Sequence, residues 1–493
     1  MKMQVFQLIV WSLCSVTLLL LAIAGFHRAT LLRIHLFRRR TGARSDAPSP
    51  RPLPRVTIQL PVFNEANVAE RLIRSAAAIR YPSHLLEVQV LDDSSDQTRD
   101  IVDEAAAEAR RSGVAVDILR RSARTGFKAG ALAEGLEKAR GELLLILDAD
   151  FLPSPDLLER VIPHFADPRV AVVQARWGHL NANRSLLTRA QALMLDGHFV
   201  LEHGGRATAG LFFNFNGSGG IWRRSAILDS GGWQSDTLTE DLDLSYRAQL
   251  RGWRFVFLPE LLVPGELPES MSAFKSQQHR WAQGGVETAL KLLAPVLSAA
   301  LPRRVKVEAF FHLTSNLAYP LVLLLGLLLP VAVAVSNQTR SLASLISGLV
   351  VAMSTLSFAT FYLAAARSSE TRTWSSIPAL FALGLGISVS QTHAVMAALR
   401  RQGGEFVRTP KTGTTGPGSY RLEPSRLAWL EVGIALYAGA GSLLAAGVGR
   451  LPHVPLLMLY AAGFGWVGLS SLFEQRREFC VRNEPRAGET LSR

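Results

Sequence analysis

Leu143-Leu-Leu-Ile-Leu-Asp148-Ala149-Asp150 is an apolar run that stops abruptly at two carboxylates. The run is short enough to read as a buried strand, so the two acids emerge together beyond its carboxyl end. Oxygen donors placed there form a natural site for Mg²⁺ or Mn²⁺ set against a diphosphate, because a hard cation neutralises the charge that develops on such a leaving group. The plainer reading is a polar loop, since Asp-x-Asp is common. Working outward, the runs 56–62, 87–91, 116–119 and 170–174 also read as short buried strands, while 66–79 and 98–111 carry apolar faces spaced by three and four. That alternation predicts an α/β domain with a mainly parallel sheet over 55–264, whose ligands sit beyond the carboxyl ends of the strands.

The flanks follow a different rule. Of the 493 residues, 48% are hydrophobic, and the excess gathers near the N-terminus and after residue 307. The run 5–26 is long enough to cross a bilayer and ends in basic residues, among them Arg28, Arg33 and Arg38, so it reads as an uncleaved anchor with its C-terminal end in the cytoplasm. Blocks 309–335, 342–366, 427–448 and 454–473 are span candidates; 377–399 is read as interfacial or re-entrant, which keeps the basic stretch 402–426 cytoplasmic. The expected partition is an anchor (1–40), a Pro/Ser/Arg-rich linker (41–54), a catalytic domain (55–270), amphipathic interface helices (271–306) and a membrane region (307–493). Basic residues beside apolar runs account for the net charge of +13 as positive-inside anchoring, with the lipid bilayer and not nucleic acid as partner. Cys14 and Cys480 are poorly placed to pair. The abundance of Ala, Arg and Gly suits a bacterial inner membrane.

Further motifs carry candidate chemistry. Asp92 and Asp93 end the second strand, where two adjacent acids need a compensating base, ribose or ion. Lys128-Ala129-Gly130 opens a helix, where a cation can approach a diphosphate or simply stay solvated. Thr239-Glu240-Asp241 begins another helix; Asp241 is either part of a cap or the general base that deprotonates an acceptor hydroxyl. Gln277, His279, Arg280 and Trp281 lie on an amphipathic segment, in which Trp281 offers a face for stacking on sugar and Arg280 and Gln277 offer donors, unless the segment is only a membrane-interface helix. His279 reads as a surface residue.

In this order the motifs resemble the processive family 2 glycosyltransferases, the cellulose-synthase superfamily. The strings Phe212-Phe-Asn-Phe-Asn-Gly-Ser-Gly-Gly-Ile-Trp-Arg223 and Gln277-Gln-His-Arg-Trp281 look closest to its mannan synthase branch and bacterial relatives. The resemblance implies a GT-A-type domain joined to transmembrane helices, and a membrane-embedded inverting enzyme that builds a β-linked glucan or mannan. It implies a nucleotide-sugar donor, UDP-glucose or GDP-mannose, and a glycan acceptor, with room for accessory export subunits. Asp92 and Asp93 would hold the nucleotide, Lys128 and Arg280 the diphosphate, Asp148 and Asp150 the donor and metal, and Gln277 would help bind the donor. Asp241 would be the base, with Glu240 beside it. Trp281, Asn216, Gly217 and Ser218 would meet the acceptor, while Phe406, Val407, Arg408, Thr409 and Lys411 resemble a gating loop. One departure is Ala282-Gln-Gly-Gly285, where the plant sequences carry Ser-Cys-Gly-Pro. Transfer of one sugar to a membrane lipid is the competing enzyme reading, and a non-catalytic scaffold the competing class.

Overall fold

The computed structural model describes residues 2–38, 49–335, 342–368, 374–401 and 426–483. The expected gating-loop residues Phe406 to Lys411, most of the linker and Cys480's side chain lie outside that description.

Seven strands form one sheet: β1 (Val56–Val62), β2 (Leu86–Asp92), β3 (Ala115–Leu119), β4 (Leu143–Ile146), β5 (Val170–His179), β6 (Gly220–Arg223) and β7 (Arg254–Gly265). Their order is β3-β2-β1-β4-β6-β5-β7, with β1 to β4 mutually parallel and β6 antiparallel to both β4 and β5. The mainly parallel α/β expectation holds, and β1 to β4 fall where the apolar runs placed them. Side chains alternate between two cores: Leu143 and Leu145 pack with the helices Ala69–Ala77 and Thr98–Arg111, whereas Leu144 and Ile146 pack with the helix Phe127–Lys138.

Two strands escaped the sequence reading, and a third is longer than expected. β6 hides in the glycine-rich string after Ser218. β7 carries Pro259 and Pro264, which argue against a central strand, yet it pairs only with β5 at the sheet edge, where proline is tolerated. β5 continues past residue 174 to His179, with a register irregularity between Ala175 and Arg176 that re-aims the residues after it.

By length and composition, four described helical stretches can cross a membrane: Lys2–Phe37, Arg303–Val335, Leu427–Gly447 and Leu451–Arg476. The block 342–366 lies in the 27-residue helix Leu342–Ser368, which meets the first helix where Ser357 Oγ donates to the Gly25 carbonyl at 2.9 Å. The block 377–399 is a pair of helices, Trp374–Gly386 and Ser388–Leu399, bent by 44°. Its first half approaches the last membrane helix so closely that a Cβ on Gly386 would stand 2.2 Å from the Gly463 carbonyl oxygen.

One long helix, Met271–Ser298, joins the sheet domain to this bundle. Glu474 of the last membrane helix accepts the Met271 and Ser272 amides at 2.6 and 2.9 Å, satisfying donors that a helix start leaves free. Lys275 forms a buried ion pair with Glu431, 2.7 Å apart. His279 is a correction to the surface reading: its Nδ1 lies 3.1 Å from the Ser390 carbonyl and its ring packs 5.4 Å from that of His393.

Candidate active site

Beyond the carboxyl ends of β1 and β4 the chain opens into a cavity of about 180 Å³. Its walls include the Asp-x-Asp turn, the start of the helix Phe127–Lys138, the loop before β6, the ends of β1, β5 and β7, and the junction between the helices Glu240–Leu250 and Met271–Ser298. Asp93, Lys128, Asp148, Asp150, Asn216, Gly217, Glu240, Asp241, Gln277, Arg280 and Trp281 all line it. Ser218 stands behind the wall, fully buried, and accepts the Asp148 amide on its hydroxyl at 2.9 Å.

Lys128 is the hub. Its ammonium lies 2.5 Å from Asp148 Oδ1 and 3.9 Å from Glu240 Oε1, and it donates to the Gly217 carbonyl at 2.9 Å. Burial alone would discharge it, but the Asp148 and Glu240 charges outweigh that and raise its pKa. The helix behind it starts from Gly126 in the left-handed region, φ +71°. Gly217 matters for space as well as conformation: φ is +78°, and a Cβ there would meet Asp241 Oδ2 at 3.1 Å and Lys128 Nζ at 3.4 Å.

Asp241 occupies the second position of its helix. The residue at the cap, Thr239, makes no side-chain capping bond; its hydroxyl lies 3.2 Å from that of Thr288 on the long helix. The capping box that the sequence allowed is therefore absent. Burial first, then the neighbouring Glu240 charge, push the Asp241 carboxyl up to about 7 against the pull of Lys128. Glu240 is also raised, by burial, with Lys128 opposing. Gly284, the one position of Ala282–Gly285 that the plant pattern shares, has a local cause here: a Cβ on it would stand 2.7 Å from the Thr239 amide nitrogen, so the long helix can press against the Thr-Glu-Asp turn only with glycine at that point.

Asp92 and Asp93 part company. Asp92 is buried, outside the cavity lining, and accepts from Arg120 Nε at 2.8 Å and from the Ser94 amide at 3.0 Å. Asp93 reaches the cavity edge and takes two bonds from Arg121, 2.9 and 2.5 Å long. The compensation that the sequence assigned to a ligand is thus supplied by two consecutive arginines of the polar loop after β3.

Part of the cavity wall is aromatic. Trp281 lies 6.4 Å from Trp177, which packs on Phe151 and Phe199 at 5.0 and 5.3 Å and donates its Nε1 proton to the Ser218 carbonyl at 3.0 Å. Trp177 was missed by sequence reasoning because it follows the irregularity in β5. Among the described residues no cluster of three or more acids, histidines or cysteines forms a ready-made metal cage. Asp148 is partly exposed to the cavity and Asp150 presents a second carboxylate, one of whose oxygens accepts the Glu266 amide at 3.2 Å. The pair suits a divalent cation whose remaining ligands are diphosphate oxygens.

This is a GT-A fold, and residues 54–284 match the family described as glycosyltransferase like family 2. Glucomannan 4-beta-mannosyltransferase 2 of Arabidopsis thaliana is 43% identical over 249 residues, covering 50% of this chain and 47% of that protein. Glucomannan 4-beta-mannosyltransferase 1 of Oryza sativa subsp. japonica is 42% identical over 251 residues, 50% of this chain and 48% of its own. The chain thus spans about half the length of the curated relatives it matches. Among solved structures, a mannosyltransferase from Pyrobaculum calidifontis, in complex with GDP-Man and Mn²⁺, aligns with a TM-score of 0.53 at 23% identity, covering 79% of this chain and 99% of that one.

Proposed function

We propose that this protein is a membrane-embedded inverting glycosyltransferase that builds a β-linked glycan, of β-mannan type, from GDP-mannose. The observation that carries the reading is the placement of Asp241: its carboxyl titrates near neutrality at the cavity wall, facing Lys128 and Asp148 on the donor side. The names of the relatives support mannose over glucose. In this mechanism Asp241 takes the proton of an acceptor hydroxyl as that oxygen forms a bond to the anomeric carbon of the donor, and the bond from that carbon to the diphosphate breaks. Lys128 and Arg280 hold the departing phosphates. Asp148 and Asp150 would hold Mg²⁺ or Mn²⁺, which supplies charge neutralisation to the leaving group when bound. Gln277 assists donor binding, while Trp281 and Trp177 give a flat apolar wall on which the acceptor's terminal sugar stacks. The basic flanks of the first helix and Arg303-Arg304 support a cytoplasmic catalytic domain in a bacterial inner membrane, from which the product is translocated.

The test is nucleotide release from a panel of nucleotide sugars by the purified full-length protein, with digestion and sizing of the product. The expected result is GDP-mannose turnover to a polymer cut by β-mannanase. UDP-glucose turnover to a β-glucanase-sensitive product would replace mannan by glucan, and one labelled glycolipid without polymer would replace polymerisation by lipid glycosylation.

A further inference from the structure

Behind the cavity lies a polar path that the chemistry above does not use. The helix Leu186–Asp196 continues as a π-helical segment, Gly197–His203, before resuming as Gly204–Ala209. Such segments are rare and gather where a side chain has to be aimed. This one brings two histidines to one amide: His198 Nε2 lies 3.0 Å from Asn216 Oδ1, and His203 Nε2 lies 3.0 Å from Asn216 Nδ2. The other nitrogen of His198 turns away from the cavity and stands 3.4 Å from Glu202. Glu202 is 3.5 Å from Arg206, whose Nε donates to Glu308 at 2.8 Å. The second oxygen of Glu308 lies 2.7 Å from Nε2 of His27, which belongs to the first apolar helix and stacks on Phe311 at 4.3 Å.

The path alternates in charge, and its middle is deeply buried: Arg206 is 2% exposed and Glu308 6%, whereas the His198 and Glu202 side chains keep 29% and 20% of their surface. Buried ion pairs of this kind are often no more stabilising than apolar side chains of the same volume, so stability is a poor reason for having one. Geometry is a better reason. The loop ending at Asn216 is fixed on its cavity side, since Gly217 accepts from Lys128 and Ser218 holds the Asp148 amide. The path fixes its other side to the membrane.

We propose that His198, Glu202 and Arg206 are positioning residues that lock the Asn216 loop, and with it the acceptor wall of the cavity, to the first membrane helix through Glu308 and His27. The proposal rests on the sugar-transfer reading, in which Asn216 faces the acceptor. It requires acceptor affinity to respond to changes made at the far end of the path while donor affinity does not.

The experiment compares wild type, Glu202→Gln and His27→Gln as full-length protein in lipid nanodiscs. Three quantities are read: the KM for a β-1,4-mannan hexasaccharide, the KM for GDP-mannose, and the melting temperature. Glu202→Gln is expected to raise the acceptor KM roughly tenfold, the size of effect that follows the loss of one hydrogen bond to the acceptor, with donor KM and acceptor-independent donor hydrolysis unchanged. His27→Gln should shift the same constant in the same direction by less, and it carries the test if Glu202→Gln fails to fold. Parallel changes in both KM values, or an unchanged acceptor KM, would overturn the relay while wild-type transfer stands. A wild type that transfers no sugar overturns the sugar-transfer reading and the relay with it.

Discussion

Asp92 and Asp93 close β2; Asp148, Glu240 and Asp241 gather beyond β4, a short way along the same sheet edge. The first pair has an arginine for each acid, Arg120 and Arg121, both in hydrogen-bond contact. The second group sets three acids around one lysine, with Arg280 acting on Glu240 from farther off. Acids that are each bonded by an arginine are held in place by it. Acids that outnumber their cations hold protons more tightly, and a carboxyl brought to about 7 can take and return a proton at ordinary pH. Position at a strand end is common to both groups; the count of cations separates scaffold from chemistry.

The largest effect that sharpens this contrast is expected from Asp241→Asn. If Asp241 is the base, turnover falls by roughly two to four orders of magnitude while nucleotide-sugar affinity stays near wild type. Turnover and donor affinity of the folded variant in detergent decide it, and near-normal turnover would move the base to Glu240. Metal removal comes next: excess chelator should lower transfer by about a hundredfold, restored by Mg²⁺ or Mn²⁺, in keeping with the several kcal/mol a Lewis acid supplies to a leaving group. Full turnover in chelator would leave Lys128 and Arg280 to neutralise the diphosphate alone. On the anchor side, Arg121→Met leaves Asp93 without its bidentate partner and should cost about 3 kcal/mol of stability, read by denaturant unfolding of the folded fraction, with turnover per folded molecule changed far less.

The smallest effect is the pH response. A base titrating near 7 predicts that kcat/KM falls about tenfold per pH unit below that point and levels off above it. The stability contribution of the same group has the opposite sign. Its folded pKa lies above the ordinary carboxyl value, so the folded state holds the extra proton between the two; that contribution is full at low pH and is lost as pH rises through about 7. Thermal stability and activity measured over the same range should therefore diverge in Asp241-containing protein, and the divergence should shrink in Asp241→Asn.

Much of this was legible in the chain, for identifiable reasons. The strand β4 is a continuous apolar run because both faces of the sheet are covered there, while β1 to β3 turn an apolar residue to one core at every second position, and both patterns announce themselves. Most of the residues that the motifs named gather around the cavity, Asp92 and Ser218 excepted, because turns placed directly after buried strands converge at one edge. Three features were hidden. Arg120 and Arg121 look like an ordinary charged loop until folding sets them against Asp92 and Asp93. Trp177 lies past an irregularity that no pattern of alternation marks. The break in 377–399 falls next to Gly386, where that helix packs closely on Gly463, and apolar composition alone does not mark it.

The contacts that tie the long helix Met271–Ser298 to the bundle also set an order of assembly. Its first turn is capped by Glu474 and its Lys275 is matched by Glu431, residues made 203 and 156 positions later than their partners. Gln277, Arg280 and Trp281 therefore reach their places only after the residues up to Glu474 have left the ribosome. A nascent sheet domain could fold early and still leave the donor intact. The cavity would be complete only once the helices that hold the long helix are assembled.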